Sequence, residues 1–351
     1  MGRIEVRDFD GDFEALEAMG REAWFEEYGE GSWPDLYQPA MARYLCEDIQ
    51  DPRFLVAAYD GGKLVAFLAN LPRTYRLNGQ CYRGVVSDML AVRPGYSGAG
   101  VYVIGESIRR NRDFDGDFAL LTLEKNHRCA RMLRRQKLPA SKFCTLKTMV
   151  LLGHGIDFPK IVESERMSDW MARISRGVGA CRPIAAPAVA GVARPYQPED
   201  LPQALALAAG RSDRNRLLRV HNERTLAHQL HTENISFTIV YERAGALRGF
   251  ANVILRDVVS PRGSVRWAWL EFLCWDDCNT REKRALLAAI RQACEPLGCI
   301  GILTWHAGIR ASWPFLRAGF IPYPRLVDIM AWILNPQVSL HGIEEVSEQV
   351  I

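Results

Sequence analysis

The sequence predicts an α/β (α+β) protein made of two tandem modules, each a mixed, mostly antiparallel sheet flanked by helices. Three observations carry this. A hairpin pattern occurs twice: Phe54 to Phe67 is two short apolar runs around Asp60-Gly61-Gly62, and Phe237 to Phe250 repeats it around Ala244-Gly245. The spacing is constant. Phe54 and Phe237, Gly62 and Gly245, Leu64 and Leu247, and Phe67 and Phe250 are each 183 positions apart, and the same offset carries Asp88 onto Glu271 and Leu90 onto Leu273. Each hairpin also follows a short strand and a helical region, and precedes an extended run that enters a turn and then a helix.

In chain order, Ile4 to Arg7 reads as a strand, and Phe13 to Trp24 and Pro39 to Ile49 as helices. After the first hairpin, Val85 to Val92 is extended and apolar, broken only by Ser87 and Asp88, and Val101 to Arg110 is helical. In the second copy Ala193 to Tyr196 reads as a strand, with helical regions at Pro198 to Ala208 and Leu217 to Leu230. A helix over Phe158 to Ile174 and the Ala/Pro-rich run Pro183 to Gly191 separate the copies, and the run has a linker's composition. The expected division is therefore 1–152 for the first module, 153–191 for helix and linker, 192–337 for the second module, and 338–351 for a tail without strong pattern.

Composition narrows the function. The 351 residues are 48% apolar and 24% charged, ordinary for a globular protein, and suit two domains. No apolar run is long enough to span a bilayer and the N-terminus is not a signal peptide, so the expectation is a cytoplasmic protein without a membrane partner, monomer or homodimer. Nine scattered cysteines with no paired CxxC argue against a disulfide framework and against a metal site. A net charge of +3 without interleaved basic and aromatic residues gives no reason to expect nucleic acid.

The most telling stretch is Val92-Arg-Pro-Gly-Tyr-Ser-Gly-Ala-Gly-Val-Tyr102. Strand, glycine-rich turn and helix start together suit an anion, because the first amides of a helix lack intrahelical partners and the dipole favours negative charge there. It is neither a Walker loop, since no Gly-Lys-Ser/Thr ends it, nor a GxGxxG fingerprint, since its glycines fall at Gly95, Gly98 and Gly100.

The element order, with Val92, Pro94, Tyr96, Gly98 and Gly100 in that turn, resembles the GNAT superfamily of N-acetyltransferases, present twice in tandem. The segment from Leu121 to Leu138, with Asn126 at its strand-to-helix junction, and the ending Phe315-Leu-Arg-Ala-Gly319-Phe320 are similar to the superfamily's later signatures. The resemblance implies an acyl-CoA donor, acetyl-CoA or longer, and transfer to a small-molecule amine. It implies donor contacts at Met89, Leu90, Val92, Ser97, Gly98, Ala99, Gly100, Val101, Tyr102 and Asn126. Transfer to an amine needs a base. Asp88 is the first candidate, because a carboxylate in an apolar strand is costly unless partnered or useful; Glu124 and His127 are the alternatives.

The chain departs from the family's pattern at Ser97, Tyr102, Leu133 and Lys137, and a tyrosine at 102 crowds a pyrophosphate unless its ring swings away. The second copy has Trp275-Asp276-Asp277-Cys278-Asn279-Thr280-Arg281-Glu282 at the matching turn, without glycine and with two aspartates leading into it, and is expected not to hold CoA. Trp24, Tyr28, Trp33 and Tyr37 are expected to line the acceptor site or to pack. The basic residues Arg128, Arg131, Arg134, Arg135, Lys137 and Lys142 form a solvated face, or meet the donor's 3′-phosphate or an acyl carrier protein. Two other readings stand beside the first: a donor carried on an acyl carrier protein or a tRNA, and a degenerate pair that binds without catalysing.

Overall fold

Three tight turns set the sheet. In the computed structural model, Gly61-Gly62, Asn78-Gly79 and Ala244-Gly245 all have positive φ at both positions, the backbone that joins right-twisted antiparallel strands through two residues. They connect β3 (Leu55–Asp60) to β4 (Lys63–Leu77), β4 to β5 (Gln80–Val92), and β10 (Ser236–Arg243) to β11 (Ala246–Ser260). The remaining strands are β1 (Ile4–Asp8), β2 (Trp33–Pro34), β6 (Phe118–Glu124), β7 (Phe143–Gly155), β8 (Val192–Pro195), β9 (Arg216–Val220), β12 (Gly263–Cys274), β13 (Cys299–His306), β14 (Ile321–Ile333) and β15 (Glu345–Val346). The structure describes residues 4–29, 33–47, 49–124, 131, 133, 135, 139, 142–164, 168–177, 179, 181–260, 263–306 and 309–346.

The main sheet runs β1-β3-β4-β5-β6-β14-β7-β13-β12-β11-β10-β8 and reads as the same succession from either end. Neighbours are antiparallel except β5 with β6 and β12 with β13, which are parallel. The final strands are exchanged across the middle. β14 lies between β6 and β7, and β7 pairs with β13. The mixed, mostly antiparallel sheet flanked by helices is the fold class read from the sequence.

Strand β4 is buried along Leu64 to Leu71 because helices cover both faces. One face of β3 and β4, with Ala57, Phe67 and Ala69, packs into a core with Leu16 and Met19 of α1 (Phe13–Tyr28). That core crosses the junction, since Leu120, Ile300, Leu303 and Ile329 share it. The other face, with Val56, Ala58, Ala66 and Leu68, packs on Ala99 and Val103 of α3 (Ser97–Asp113). Each fully buried aliphatic of this kind stabilises by roughly 1.5–3 kcal/mol. Between α1 and α3 lies the short helix α2 (Pro39–Cys46).

Three elements differ from expectation. Leu217 to Leu230 is not one helix: Arg216–Val220 is a strand paired with Thr74–Arg76 of β4, and a helix begins only at Glu223, where Asn222 and Thr225 form a capping box. The helix over Phe158 to Ile174 is two, Phe158–Ser164 and Asp169–Gly177. The tail contains β15, which pairs with β9 and is held there by Glu345, bonded to Arg211 and Arg216.

Candidate active site

The site begins at an irregularity in β5. The register with β4 shifts between Phe67 opposite Ala91 and Ala69 opposite Asp88, which leaves one residue too many on β5. Met89 absorbs it with φ 56, a left-handed backbone at an unbranched non-glycine residue inside a strand. The Met89 N–H donates to Asp88 Oδ1 at 2.7 Å, and the Tyr37 hydroxyl donates to the Leu90 carbonyl at 3.2 Å.

The bulge lies where two parallel strands part. β5 pairs with β6 only from Gly84 to Ser87, opposite Phe118 to Leu121. Beyond Ser87, β6 stays with β14 as far as Glu124 opposite Val327, while β5 stays with β4 as far as Val92. Among the described residues, no strand covers the β6-facing edge of Asp88 to Val92. The result is a wedge-shaped cleft with Asp88 on one wall and Glu124 at the end of the other.

Asp88 is half-buried. Burial pushes its carboxyl up to about 6; the Met89 N–H, Arg256 and Arg73 pull against that shift. Tyr37, buried beside it, is pushed far up by burial and by the Asp88 charge. Glu124 is half-buried and acts with burial to push the Tyr28 hydroxyl up to about 12, against Arg325 from the exchanged strand's side. The Trp24 and Tyr28 rings pack at 4.3 Å between centroids with their planes tilted by 35°. Trp33 is buried and packs into the core.

The strand runs directly into the glycine turn. Tyr96 is the N-cap of α3, and no side chain caps that helix start; its first turn holds no acidic residue. The Tyr96 hydroxyl donates to Asp60 Oδ2 at 3.0 Å, pinning the turn to the first hairpin. The two glycines in the first turn of α3 serve different ends. A Cβ on Gly98 meets nothing within 4 Å, so that side of the turn is open. A Cβ on Gly100 lies 2.8 Å from Val92 Cγ2, so Gly100 lets the helix pack on the strand. Ala99 is buried in the same contact. Val101 and Tyr102 are 58% and 60% exposed, so the tyrosine ring is turned outward.

Asp88, Met89, Leu90, Val92 and the run Ser97 to Tyr102 thus follow one another from strand edge to turn, and Glu124 ends the strand that parts from them. Asn126 and His127 lie outside the described residues, as do Arg128, Arg134 and Lys137. Sequence reasoning missed Asp35, Arg73 and Arg256, whose approach depends on the tertiary fold. It also missed the cap that closes the second copy's turn, for which Asn279-Thr-Arg-Glu282 is a readable signal.

No family model matches the chain, and no curated protein sequence does. Solved structures do. Saccharomyces cerevisiae N-myristoyltransferase with bound myristoyl-CoA superposes with a TM-score of 0.75 at 16% identity, over 95% of this chain and 83% of that one. The same enzyme with myristoyl-CoA and inhibitors gives 0.76 at 16% identity, over 99% and 87%. A GCN5-related N-acetyltransferase from Anabaena variabilis gives 0.57 at 11% identity, over 95% and 73%. The fold is that of N-myristoyltransferase and the GCN5-related N-acetyltransferases. The resemblance drawn from the turn at Val92 to Tyr102 is borne out at the level of the fold.

Proposed function

We propose that the protein is an acyl-CoA-dependent N-acyltransferase whose chemistry belongs to the first copy. The observation that carries the reading is the strained bulge at Met89 on an uncovered strand edge, running straight into an uncapped helix start. A backbone held at positive φ inside a strand is expensive, and such strain gathers at functional sites. Solved structures of the same fold hold myristoyl-CoA, which supports a thioester donor.

In this reading the donor's pyrophosphate lies on the amides that open α3, on the open side of Gly98. Its pantetheine arm pairs with the free edge of Asp88 to Val92 as an added strand. The thioester carbonyl points at a main-chain N–H beside the bulge, which stabilises the oxyanion as it forms. Asp88, ionised at neutral pH with its carboxyl near 6, takes the proton of the acceptor amine directly or through water. The amine nitrogen attacks the carbonyl carbon, and the tetrahedral intermediate collapses with loss of the CoA thiolate. Amide and free CoA leave. The second copy completes the cleft through β14 and does not bind donor.

Thermal denaturation of the intact chain with CoA, acetyl-CoA and a series of longer acyl-CoAs tests this. A donor at ~100 times its Kd adds about 2.7 kcal/mol of stability. A stabilisation that peaks at one chain length identifies the donor. No shift with any of them removes CoA from the reading and leaves a carrier-protein or tRNA donor, or binding alone.

A further inference from the structure

Four polar side chains meet between α3 and the sheet. Asn70 of β4 is fully buried, and its Oδ1 accepts the hydroxyls of Ser87 on β5 at 2.9 Å and of Ser107 on α3 at 2.7 Å. Asn111, one turn further along α3 and 1% exposed, reaches the same oxygen through Nδ2 at 3.5 Å. Asn70 Nδ2 donates to the Phe54 carbonyl at 3.3 Å, just ahead of β3. Around this hub the contact of α3 with the sheet is apolar, through Ala66, Leu68, Ala99 and Val103.

The second copy builds the same contact from other chemistry. The 183-residue offset carries Asn70, Ser87, Ser107 and Asn111 onto Val253, Leu270, Ile290 and Cys294. All four are fully buried in one apolar cluster, where the helix Thr280–Cys294 packs on its sheet. Apolar side chains thus seat a helix in this frame, so packing alone does not call for the polar set of the first copy. Buried polar groups cost free energy unless they are bonded. What a bonded network adds is one fixed arrangement, where small apolar side chains let a helix slide. Ser87 is the last residue of β5 to pair with β6, and it stands just before Asp88 and the Met89 bulge. Ser107 and Asn111 belong to one continuous helix with the start at Ser97, so holding them holds that start.

We propose that Asn70 is a positioning residue: through Ser87 and Ser107 it sets the start of α3 at a fixed distance from the bulged edge of β5, so that one CoA spans both, an inference that rests on the donor placement proposed above. A ligand held at two linked points gains affinity only while the points keep the spacing its linker can bridge. The second copy, which binds no donor in that reading, has no such spacing to keep and carries apolar side chains at the four positions.

The test compares CoA, which spans both points, with ADP, which carries the pyrophosphate without the pantetheine arm. Each is titrated into the intact protein, CoA by calorimetry and ADP by ligand-observed NMR. Asn70→Val, the second copy's choice at that position, lowers CoA affinity by about tenfold and leaves ADP affinity within about twofold. Ser107→Ala removes one hydroxyl, suits a helix, and shifts the ratio of the two affinities the same way by about threefold. A hub that only stabilises the fold lowers both affinities together or neither, so an unchanged ratio in folded Asn70→Val overturns the proposal. Should Asn70→Val not fold, Ser107→Ala decides on the same ratio. CoA binding without ADP binding also overturns it, because no separate hold at the helix start is then left to be placed. An unaltered protein that binds neither ligand removes the donor reading and this inference with it, whereas one that binds both, with variants that keep the ratio, removes only the role of Asn70.

Discussion

The helix start at Ser97 and the helix start at Thr280 stand at the same place in the two copies, and they are finished in opposite ways. Both follow a strand with a shifted register, between Phe67 and Ala69 in one copy and between Asn252 and Val253 in the other. Both of those strands outrun their parallel neighbour, after Ser87 and after Trp269. At Ser97 no side chain answers the first amides. At Thr280 the chain answers its own: Asn279 Oδ1 accepts the N–H groups of Arg281 and Glu282 at 2.9 and 3.1 Å, and Glu282 Oε2 accepts the Asn279 N–H at 2.8 Å. Glu282, 2% exposed, is neutralised by Arg243 at 2.9 Å. Phe315 then fills the space beside that turn, against Trp275 at 5.3 Å and His306 at 5.1 Å. A handful of side chains therefore distinguishes two equivalent frames: one leaves its helix start without a side-chain cap, and the other caps its own.

The sharpest test of this asymmetry compares the carboxylates on the two strands. If the first copy alone is catalytic, Asp88→Asn lowers kcat by about 10²–10⁴-fold, the usual contribution of a general base, with donor affinity unchanged. Glu271→Gln leaves kcat within about threefold, which is under 1 kcal/mol. Equal losses in steady-state assays of the two variants would abolish the division of labour.

Next in size is Gly98→Glu. The new side chain enters open space, so folding is spared, but it brings a carboxylate to the start of α3, where it can cap the helix and repel a pyrophosphate. CoA affinity measured by calorimetry should fall by about 100-fold or more, roughly 2.7 kcal/mol. Intact affinity would take this turn out of the donor site. Gly100 is the poorer position for the test, because Val92 makes any side chain there a packing defect.

A third expectation concerns stability. The folded-state value of Asp88 is raised from 3.8 to about 6, so the native state holds its proton more tightly than the unfolded chain does. The favourable contribution of this group is full below about pH 4 and is lost as pH rises through about 6. Asp88→Asn should therefore stabilise the protein at pH 8, by on the order of 1–2 kcal/mol after allowing for its partial exposure, and should make little difference at pH 4. A gain of equal size at both pH values in urea denaturation would mean that carboxylate burial is not its source.

What could be read from the sequence was what repeats locally. The glycine hairpins and the 183-residue offset predicted the halves of the sheet, and the turn at Val92 to Tyr102 predicted a strand running into a helix start. Three things were written only in tertiary contacts. Arg216–Val220 has the apolar spacing of a helix yet forms a strand, because Thr74–Arg76 offers it a backbone partner. The exchange of β7 and β14 leaves no local pattern, since a strand reads the same whichever neighbour it takes. Nothing about a methionine foretells positive φ, so the Met89 bulge was invisible, and with it the carbonyl that Tyr37 reaches.

The smallest effect separates the two barriers at the second helix start. Asn279→Ala removes the cap and should cost about 1 kcal/mol. For a chain of this size that lowers Tm by about 2 °C. It should confer no second CoA site, because Phe315 and Trp275 still occupy the space beside the turn and Asp276 remains next to it, bonded to Arg216 at 3.0 Å. Calorimetry with CoA on this variant therefore keeps the stoichiometry at one. A stoichiometry of two would mean that the cap alone had closed the second copy, and that the aromatic plug is only packing that yields to a ligand.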